Sequence, residues 1–434
     1  MKIGFGRVDV TPPLGSALAG YFHIRESVGI LDPIYLNAVV VEVGEERIAV
    51  ITGDFLSMYL TQATEIRNFV AAETGIPAQH ILMQCLHQHT SVTAGNTPDF
   101  YRENLKRKYA DVLRLALDDL AECTVTVGEK EASEPISFIR RFRMKDGTVQ
   151  TNPGCLNPEI DHPLGEADNT VRLVRFHREE KGDIAMVGFQ THPDTLGGHR
   201  FSADWPGFVR RTVEKELESE GVHCILLNGC QGDTNHIDTS RPKPPASTAE
   251  RYQKVARRMG EIVARAALEL WDEGKPVAEG PVSGEVSLHA IPSNLEGVEL
   301  IEEAKEIQRL LAAKLPTPRP LNLAERGRYA RISRMENLAL FQKVNVTMVA
   351  FGKIAIVGYA GEPFTEYADV LREAFPELFI LTACNCNGAQ GYLPSAAAFE
   401  EGGYEANSSS FTVSTPSVLQ GEAKAKLARH LEKI

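Results

Sequence analysis

The sequence has no long apolar run. Within its 434 residues, no stretch approaches the roughly 20 consecutive apolar residues that a transmembrane helix needs. The opening residues Met1 to Gly6 lead directly into fold-like sequence, with neither the apolar core nor the cleavage site of a secretory signal peptide. These absences argue against stable membrane insertion and predict a cytoplasmic protein.

Basic clusters and paired cysteines are also missing. Forty-six Lys and Arg residues against 58 Asp and Glu residues give a net charge of −12, and no basic run interrupts the sequence. A nucleic-acid partner is therefore not expected. The seven cysteines are an odd number without a C-x-x-C pair, which argues against a disulfide framework and a structural zinc knuckle. We expect a small-molecule partner, and homo-oligomerisation stays open.

Apolar strand-like runs alternate with segments of helical periodicity along most of the chain. This alternation predicts an α/β fold with mixed β-sheet layers flanked by helices. Strands are expected at 34–43, 47–55, 80–86, 170–176, 184–190, 222–228, 344–350, 354–360 and 378–384. Helices are expected at 61–73, 99–120, 206–219, 249–272 and 363–374.

The domain organisation follows from the same pattern. Two further helical segments, at 298–315 and about 322–340, are charged and flank a proline-rich turn. We interpret about 293–343 as a helical insertion on the main body. Large α/β enzymes often keep one continuous core at this length, so we expect residues 1–434 to form a single domain.

The segment CLHQHTS (85–91) places two histidines at the end of a predicted strand. His87 and His89 are two residues apart, so on a strand they point to the same face. Buried histidines that bond to backbone groups are common, and histidine is also the commonest metal ligand. The motif alone does not decide between core packing and a metal site.

Polar residues also follow the ends of other predicted strands, where the ligand crevice of an open α/β sheet lies. His192 ends one strand, and Glu362 follows another just before a helix. Taken singly, His192 could terminate its strand and Glu362 could complement the positive end of the helix. Together with His87 they form a set of two histidines and one carboxylate, which is typical of a catalytic zinc site with open coordination.

Six segments carry more extended motifs. They are GFGRVDVTPPLG (4–15), LHQHTS (86–91), THPDTLGGHRFSADWPG (191–207), NGCQGDTNH (228–236), AGEPFTEY (360–367) and GYLPSAAAFEEGGYEANSS (391–409). In this order they resemble the motifs of the neutral (non-lysosomal) ceramidases, a family of zinc-dependent amide hydrolases. The resemblance spans nearly the whole chain and implies the fold of that family's catalytic domain.

The resemblance also implies which residues form the site. Zinc would be bound by His87, His192, Glu362 and Tyr392. His89 would lie beside the ligands, where it would orient one of them or pass a proton. Tyr404, twelve residues after Tyr392, would direct its hydroxyl at the substrate oxygen. Arg140 falls near a family arginine that contacts the polar end of the substrate, and Arg141 is the alternative.

This sequence departs from the family pattern in three places. Asn235 occupies the position of the proposed serine nucleophile, and Val92-Thr93 replace the Gly-Pro that follows the histidine motif. The chain ends soon after the Tyr404 region, so we expect no C-terminal immunoglobulin-like domain. Without the serine, attack by metal-activated water is simpler than a covalent acyl-enzyme. Asn235 would then be a hydrogen-bond donor to the substrate or the oxyanion.

We therefore predict a zinc-dependent hydrolase that cleaves an amide or ester bond of a small polar metabolite. The general base is left open among His89, Asp194 and Asp233, while Tyr404 and the backbone N–H groups around Asp233 would stabilise the oxyanion. One alternative is an isomerase or lyase acting on a sugar or hydroxy acid at the same metal. A ceramidase or N-acyl amidase proper and a non-catalytic binding module also stay open.

Overall fold

Three mixed β-sheets form the framework of the protein. The computed structural model describes residues 1–335 and 339–434. The first sheet has the strand order Ile81–Cys85, Glu46–Gly53, Tyr35–Val43, Lys2–Asp9 and Ala121–Glu122. The second has the order His223–Asn228, Ile184–Phe189, Thr170–His177, Thr124–Glu131 and Lys275–Val277. The third has the order Val282–Pro292, Phe341–Phe351, Ile354–Tyr359 and Phe379–Ala383.

Each sheet contains one parallel pair of strands, and a helix connects the two strands of that pair. The parallel neighbours are Glu46–Gly53 with Ile81–Cys85, Ile184–Phe189 with His223–Asn228, and Ile354–Tyr359 with Phe379–Ala383. The connecting helices are Leu60–Thr74, Asp204–Glu216 and Glu366–Ala374. All other pairings within these three sheets are antiparallel. The same β–α–β unit therefore occurs three times.

The core lies between the sheets and between each sheet and its helices. One cluster of buried side chains draws on all three sheets and includes Ile3, Val174 and Val349. The outer faces are covered by pairs of helices: Leu60–Thr74 with Asp99–Asp118, Asp204–Glu216 with Arg257–Glu269, and Glu366–Ala374 with Thr415–Leu431. This architecture confirms the predicted mixed α/β fold.

Gln84 joins the three sheets near the carboxyl ends of their parallel strands. Its side-chain amide donates to the carbonyl oxygens of Asn228 at 2.5 Å and Cys384 at 3.1 Å, which lie at the ends of strands of the second and third sheets. Its own strand, Ile81–Cys85, belongs to the first sheet. The loops that leave these strand ends consequently meet at one place.

The described residues of the predicted insertion include the α-helices Ile301–Ala312 and Leu323–Ile332. The second begins at a capping box in which Asn322 and Glu325 satisfy each other's backbone N–H groups. It packs against the short helix Tyr404–Ser408. Residues 336–338, which belong to the helix predicted over 322–340, lie outside the described residues. Treatment of this region as an insertion on a single domain stays a prediction.

The remaining elements differ modestly from expectation. The helix predicted over 249–272 consists of Thr248–Arg251, a π-helical turn Tyr252–Ala256 and Arg257–Glu269. The strands Thr124–Glu131 and Val282–Pro292 and the helix Thr415–Leu431 were not predicted. Two short elements lie near the strand ends, the parallel pair Glu362–Pro363 with Tyr392–Leu393 and the helix Ala396–Glu401. Across 1–335 and 339–434, no helix combines the length and apolarity that crossing a membrane requires.

Candidate metal centre

His87, His192 and Glu362 come together where the three sheets meet. His87 follows the strand Ile81–Cys85, His192 follows Ile184–Phe189, and Glu362 follows Ile354–Tyr359. His87 has a φ of 79°, a left-handed conformation that is costly for a residue with a side chain. The fold therefore holds this histidine in a strained backbone geometry that directs its ring into the site.

The side-chain atoms of these three residues converge on one point. His87 Nε2 lies 3.2 Å from His192 Nε2 and 3.2 Å from Glu362 Oε2. His192 Nε2 lies 3.6 Å from the same carboxylate oxygen. On the far side of each ring, the Nδ1 atom of His87 is 3.0 Å from the Leu56 carbonyl oxygen, and that of His192 is 3.2 Å from the Gln231 carbonyl oxygen. Asn385 Nδ2 also lies 3.0 Å from His87 Nδ1. In the tautomers that donate from Nδ1 to the carbonyl oxygens, the Nε2 lone pairs face inward.

This donor set fits a divalent cation of the size of zinc. With Zn–N bonds of ~2.0–2.1 Å, two ligands at a tetrahedral angle lie about 3.3–3.4 Å apart, close to the separations observed here. Glu362 Oε2 is buried and has no hydrogen-bond partner among the described residues. A buried carboxylate oxygen is costly when it is left unpaired. A shared cation would satisfy both the carboxylate and the facing imidazole nitrogens.

His89 is a third histidine at the same place. One nitrogen from each of His87, His89 and His192 can be chosen so that all three lie within 4.8 Å of one another. Both ring nitrogens of His89 are buried without a hydrogen-bond partner in the described part of the chain. Its Nδ1 lies 3.7 Å from Asp194 Oδ1. The site therefore offers a three-histidine group that overlaps the set of two histidines and Glu362.

The protonation tendencies of the histidines differ. Burial, together with the positive charge of neighbouring groups, places the pKa values of His89 and His192 well below the ordinary value. Burial also lowers the pKa of His87, but attraction to the Glu362 carboxylate outweighs it and the net pKa is raised. Neutral His89 and His192 have the form in which imidazole binds a metal.

Tyr392 and Tyr404 form the next wall of the site. Tyr392 is the direct parallel neighbour of Glu362, and its ring centroid is 5.5 Å from that of Tyr404. Burial raises the pKa of both hydroxyls. The Arg140 guanidinium lies over the Tyr392 ring, 5.3 Å from its centroid. Both tyrosines therefore lie near the group formed by His87, His192 and Glu362.

Arg140 is buried behind the tyrosines and pairs with Glu405. Its Nε donates to Glu405 Oε1 at 2.7 Å, and its Nη2 donates to the Gly232 carbonyl oxygen at 2.8 Å. Arg141 approaches the other Glu405 oxygen at 3.8 Å and donates to Glu401 at 3.0 Å. The two arginines therefore hold the loop that carries Tyr404, and neither lines the cavity that opens onto the centre.

Asp233 and Asn235 are engaged in contacts within the loops. Asp233 Oδ1 accepts from both the backbone N–H and the hydroxyl of Thr365 at 2.9 Å, which ties its loop to the segment after Glu362. Burial raises the pKa of Asp233 to about 6. Asn235 donates to Asn152 Oδ1 at 2.6 Å and accepts from the backbone N–H of Ile237. Neither residue lines the cavity, so their catalytic roles stay predictions.

The cavity at the centre has a volume of about 340 Å³. His87, His89 and Glu362 lie on one side of it. The other lining residues are Gly20, Tyr21, Phe22, Leu56, Gln308, Gly327, Ala330, Arg334, Gly391, Tyr392, Tyr404 and Ser408. Most of these were missed from sequence. Tyr21 lies after the motif at 4–15 and is not part of it. The helices Ile301–Ala312 and Leu323–Ile332 have the charged pattern of surface helices.

Two contacts hold the segment around Tyr21 against the site. The Tyr21 hydroxyl donates to Asp194, and the Tyr21 ring meets the His89 ring edge-on with a centroid distance of 5.4 Å. Burial raises the pKa of Asp194 to about 6. At Gly20, where φ is 95°, an added Cβ would lie 2.5 Å from His89 Nδ1. Only glycine fits this close approach to the His89 ring.

Gly327 allows the helix Leu323–Ile332 to pack against the site. A Cβ at this position would lie 2.1 Å from Ser408 Oγ and 2.8 Å from Tyr404 Cδ2. We expect Gly327→Ala to lower the free energy of unfolding by about 1–3 kcal/mol, because the extra methyl group overpacks the contact. Gly421→Ala is the matched control, since a Cβ there meets nothing within 4 Å and alanine favours the helix. Denaturant titration of both variants measures the difference, and equal stability would contradict the packing argument.

Comparison with solved structures supports the fold. The structure matches neutral ceramidase from Pseudomonas aeruginosa with a TM-score of 0.73 and 14% sequence identity, over 99% of this chain and 74% of that one. It also matches a ceramidase complexed with C2, with a TM-score of 0.74 and 13% identity, over 100% of this chain and 75% of that one. No family model and no curated protein matches the sequence. The protein therefore has a neutral-ceramidase-like fold, as the motifs predicted.

Proposed function

We propose that the protein is a zinc-dependent hydrolase that cleaves an amide or ester bond of a small polar metabolite by metal-activated water. The observation that carries this proposal is the convergence of His87 Nε2, His192 Nε2 and Glu362 Oε2 within 3.2–3.6 Å at one end of a cavity. The neutral-ceramidase-like fold supports hydrolysis of an amide bond as the reaction class.

His87, His192, Glu362 and Tyr392 would hold the metal. The separations of the first three are those of ligands to a common cation, and Tyr392 lies directly beside Glu362. When bound, zinc would supply Lewis-acid activation of a water molecule and of the scissile carbonyl group. Zinc is favoured over Mg²⁺ and Ca²⁺ because two of the four proposed ligands are imidazole nitrogens, whereas those cations prefer oxygen ligands only.

Tyr404 and His89 are the side chains best placed to act on the substrate. Both line the cavity beside the ligands. The Tyr404 hydroxyl would donate a hydrogen bond to the carbonyl oxygen as negative charge develops there. Neutral His89, with both nitrogens free of partners among the described residues, would accept a proton from the attacking water.

The contacts of the two carboxylates favour His89 as the general base. An oxygen of Asp194 accepts from the Tyr21 hydroxyl, and one oxygen of Asp233 accepts from Thr365. Neither carboxylate lines the cavity, whereas His89 does. Asp194 is closer to the histidines, so in this proposal it positions the His89 ring.

The cavity supports a small polar substrate rather than a long acyl chain. Its volume of about 340 Å³ is at the lower end of the range for ligand sites. Its lining includes the polar groups of Gln308, Arg334 and Ser408 in addition to the histidines and tyrosines. A ceramide would need a longer apolar channel than this cavity provides.

Hydrolysis in isotopically labelled water tests the reaction class. The zinc-loaded protein would be incubated with a panel of small amides and esters in H₂¹⁸O, and products would be analysed by mass spectrometry. We expect one labelled oxygen in the carboxylic acid product. Turnover that incorporates no label would instead support an isomerase or lyase at the same centre. Full metal content without turnover on amide, ester and sugar panels would contradict both enzymatic proposals.

Replacing His89 by alanine should separate its role from that of a ligand. We expect His89→Ala to keep one metal ion per chain and to lower kcat by about a hundredfold, because a general base is lost. Metal analysis and steady-state kinetics measure the two effects. Loss of the metal from this variant would show that the three-histidine group, rather than Glu362, completes the coordination.

A further inference from the structure

Two hydrogen-bond donors on the insertion face the cavity without a partner. Gln308 lies on the helix Ile301–Ala312 and Arg334 follows the helix Leu323–Ile332, and both line the cavity. The Gln308 Nε2 atom is buried and makes no hydrogen bond to any residue that the structure describes. The exposed Arg334 guanidinium has neither a hydrogen bond nor an ion pair within 1–335 and 339–434.

Two other arginines are bonded to groups of the fold. Arg140 pairs with the buried Glu405 carboxylate at 2.7 Å. Arg25 donates to the backbone carbonyls of Ala19 at 2.6 Å and His89 at 2.7 Å, and its guanidinium lies over the Tyr21 ring. Arg334 therefore stands out as a cation that the described structure leaves available to a ligand.

The surroundings of Arg334 favour an anion. The Arg334 side chain is solvent-exposed where it lines the cavity, and its charge interacts with the hydroxyls of Tyr404 and Tyr59. Arginine stays protonated at neutral pH. Hydrogen bonds between a guanidinium and a carboxylate are charge-assisted and are roughly twice as strong as those between neutral groups. Its planar fork matches the two oxygens of a carboxylate.

We propose that Arg334 and Gln308 bind a carboxylate group of the substrate, so that the protein acts on small amides or esters that carry a carboxylate. The proposal rests on the proposed function and names its substrate class. The scissile bond would lie at the end of the cavity formed by His87, Glu362 and Tyr404. The carboxylate would lie at the end formed by the insertion, which thereby selects the substrate.

Binding of ligands that cannot be hydrolysed tests this assignment without requiring turnover. Levulinate is a ketone with a terminal carboxylate, and methyl butyl ketone has an ethyl group in its place. Isothermal titration of the zinc-loaded protein should give a Kd for levulinate at least about tenfold lower than for the neutral ketone. Arg334→Gln should abolish that difference. Arg334→Lys should keep part of it, because the charge remains but the fork is lost.

Arg328→Gln is the matched control. Arg328 lies on the helix Leu323–Ile332 that precedes Arg334, approaches Glu296 at 3.5 Å and does not line the cavity, so this change should leave both Kd values unaltered. Unchanged levulinate affinity in folded Arg334→Gln would overturn the proposal, since the carboxylate would then bind the metal or another group. Equal affinity of the wild type for both ligands would also overturn it.

A second variant keeps the test decisive if Arg334→Gln does not fold. Gln308→Leu removes the other donor and should weaken binding of levulinate without weakening that of methyl butyl ketone. Equal weakening of both ligands would contradict a carboxylate site. If no amide or ester is hydrolysed but levulinate still binds through Arg334, the hydrolase proposal fails and the anion site stands.

Discussion

Replacing His192 by alanine is expected to remove the bound metal and, with it, measurable hydrolysis. His192 Nε2 faces both His87 Nε2 and Glu362 Oε2, and its Nδ1 atom is fixed by the Gln231 carbonyl oxygen. Loss of residues that merely orient metal ligands typically costs 10–100-fold, so loss of a ligand itself should exceed ~100-fold. Metal content by plasma mass spectrometry and kcat/KM measure the two effects.

The control for this experiment is the replacement of a histidine that is remote from the metal centre. His162 is exposed and pairs with Asp161 at 3.0 Å, so His162→Ala should retain both metal and activity. The His192→Ala protein should also remain folded, because the cavity left by the ring is polar and lies at the ends of strands rather than within the apolar core. Full metal occupancy in His192→Ala would contradict the assignment of the centre.

Replacing Tyr404 by phenylalanine is expected to lower kcat by about 10²–10³-fold while the metal stays bound. Tyr404 lines the cavity beside Tyr392, and its hydroxyl is the proposed donor to the developing oxyanion. Removal of one such donor has an effect of this size. Metal analysis, melting temperature and kcat on the purified variant separate catalysis from stability.

Tyr392→Phe is the informative partner variant. The two tyrosines have ring centroids 5.5 Å apart, but Tyr392 neighbours Glu362 and is proposed as a metal ligand. Its loss should weaken metal affinity rather than act on kcat of the metal-saturated protein. If both variants changed only the melting temperature, both tyrosines would be packing residues and the proposed division of roles would be wrong.

Much of the fold followed from local patterns in the sequence. The strands predicted at 34–43 and 47–55 are present as Tyr35–Val43 and Glu46–Gly53, which pair with each other. The helix predicted at 61–73 is present as Leu60–Thr74 and ends at Gly75, which has a φ of 73° and donates its N–H to the Ala71 carbonyl oxygen. These elements can be predicted from the sequence because strand periodicity and helix termination depend on residues that are close together along the chain.

The polar residues at strand ends were also recognisable. His87, His192 and Glu362 each follow an apolar strand, and the structure brings their side chains within 3.2–3.6 Å. Parallel strands that are connected by helices have their carboxyl ends at the same edge of the sheet. A polar residue directly after such a strand is therefore predicted to lie at that edge. The specific ligand set came from the resemblance to the ceramidase motifs and stays a prediction.

The remaining features of the site depend on contacts between distant segments. Arg140, whose contact with the substrate stays a prediction together with the alternative Arg141, pairs with Glu405, which is 265 positions further along the chain. Tyr21 and Arg334 line the cavity although they lie in segments that are distant in sequence from the strand ends of the centre. No local pattern around these residues distinguishes them from surface polar groups, and hence sequence reasoning missed them.

A crystal structure of the zinc-loaded protein, with anomalous diffraction recorded at the zinc edge, tests the central claim most directly. The account predicts one anomalous peak per chain, within ~2.0–2.2 Å of His87 Nε2, His192 Nε2 and a Glu362 carboxylate oxygen, with Tyr392 as the next ligand. A peak at another place, a peak bound by His89 in place of Glu362, or the absence of a peak from fully zinc-exposed crystals would contradict it.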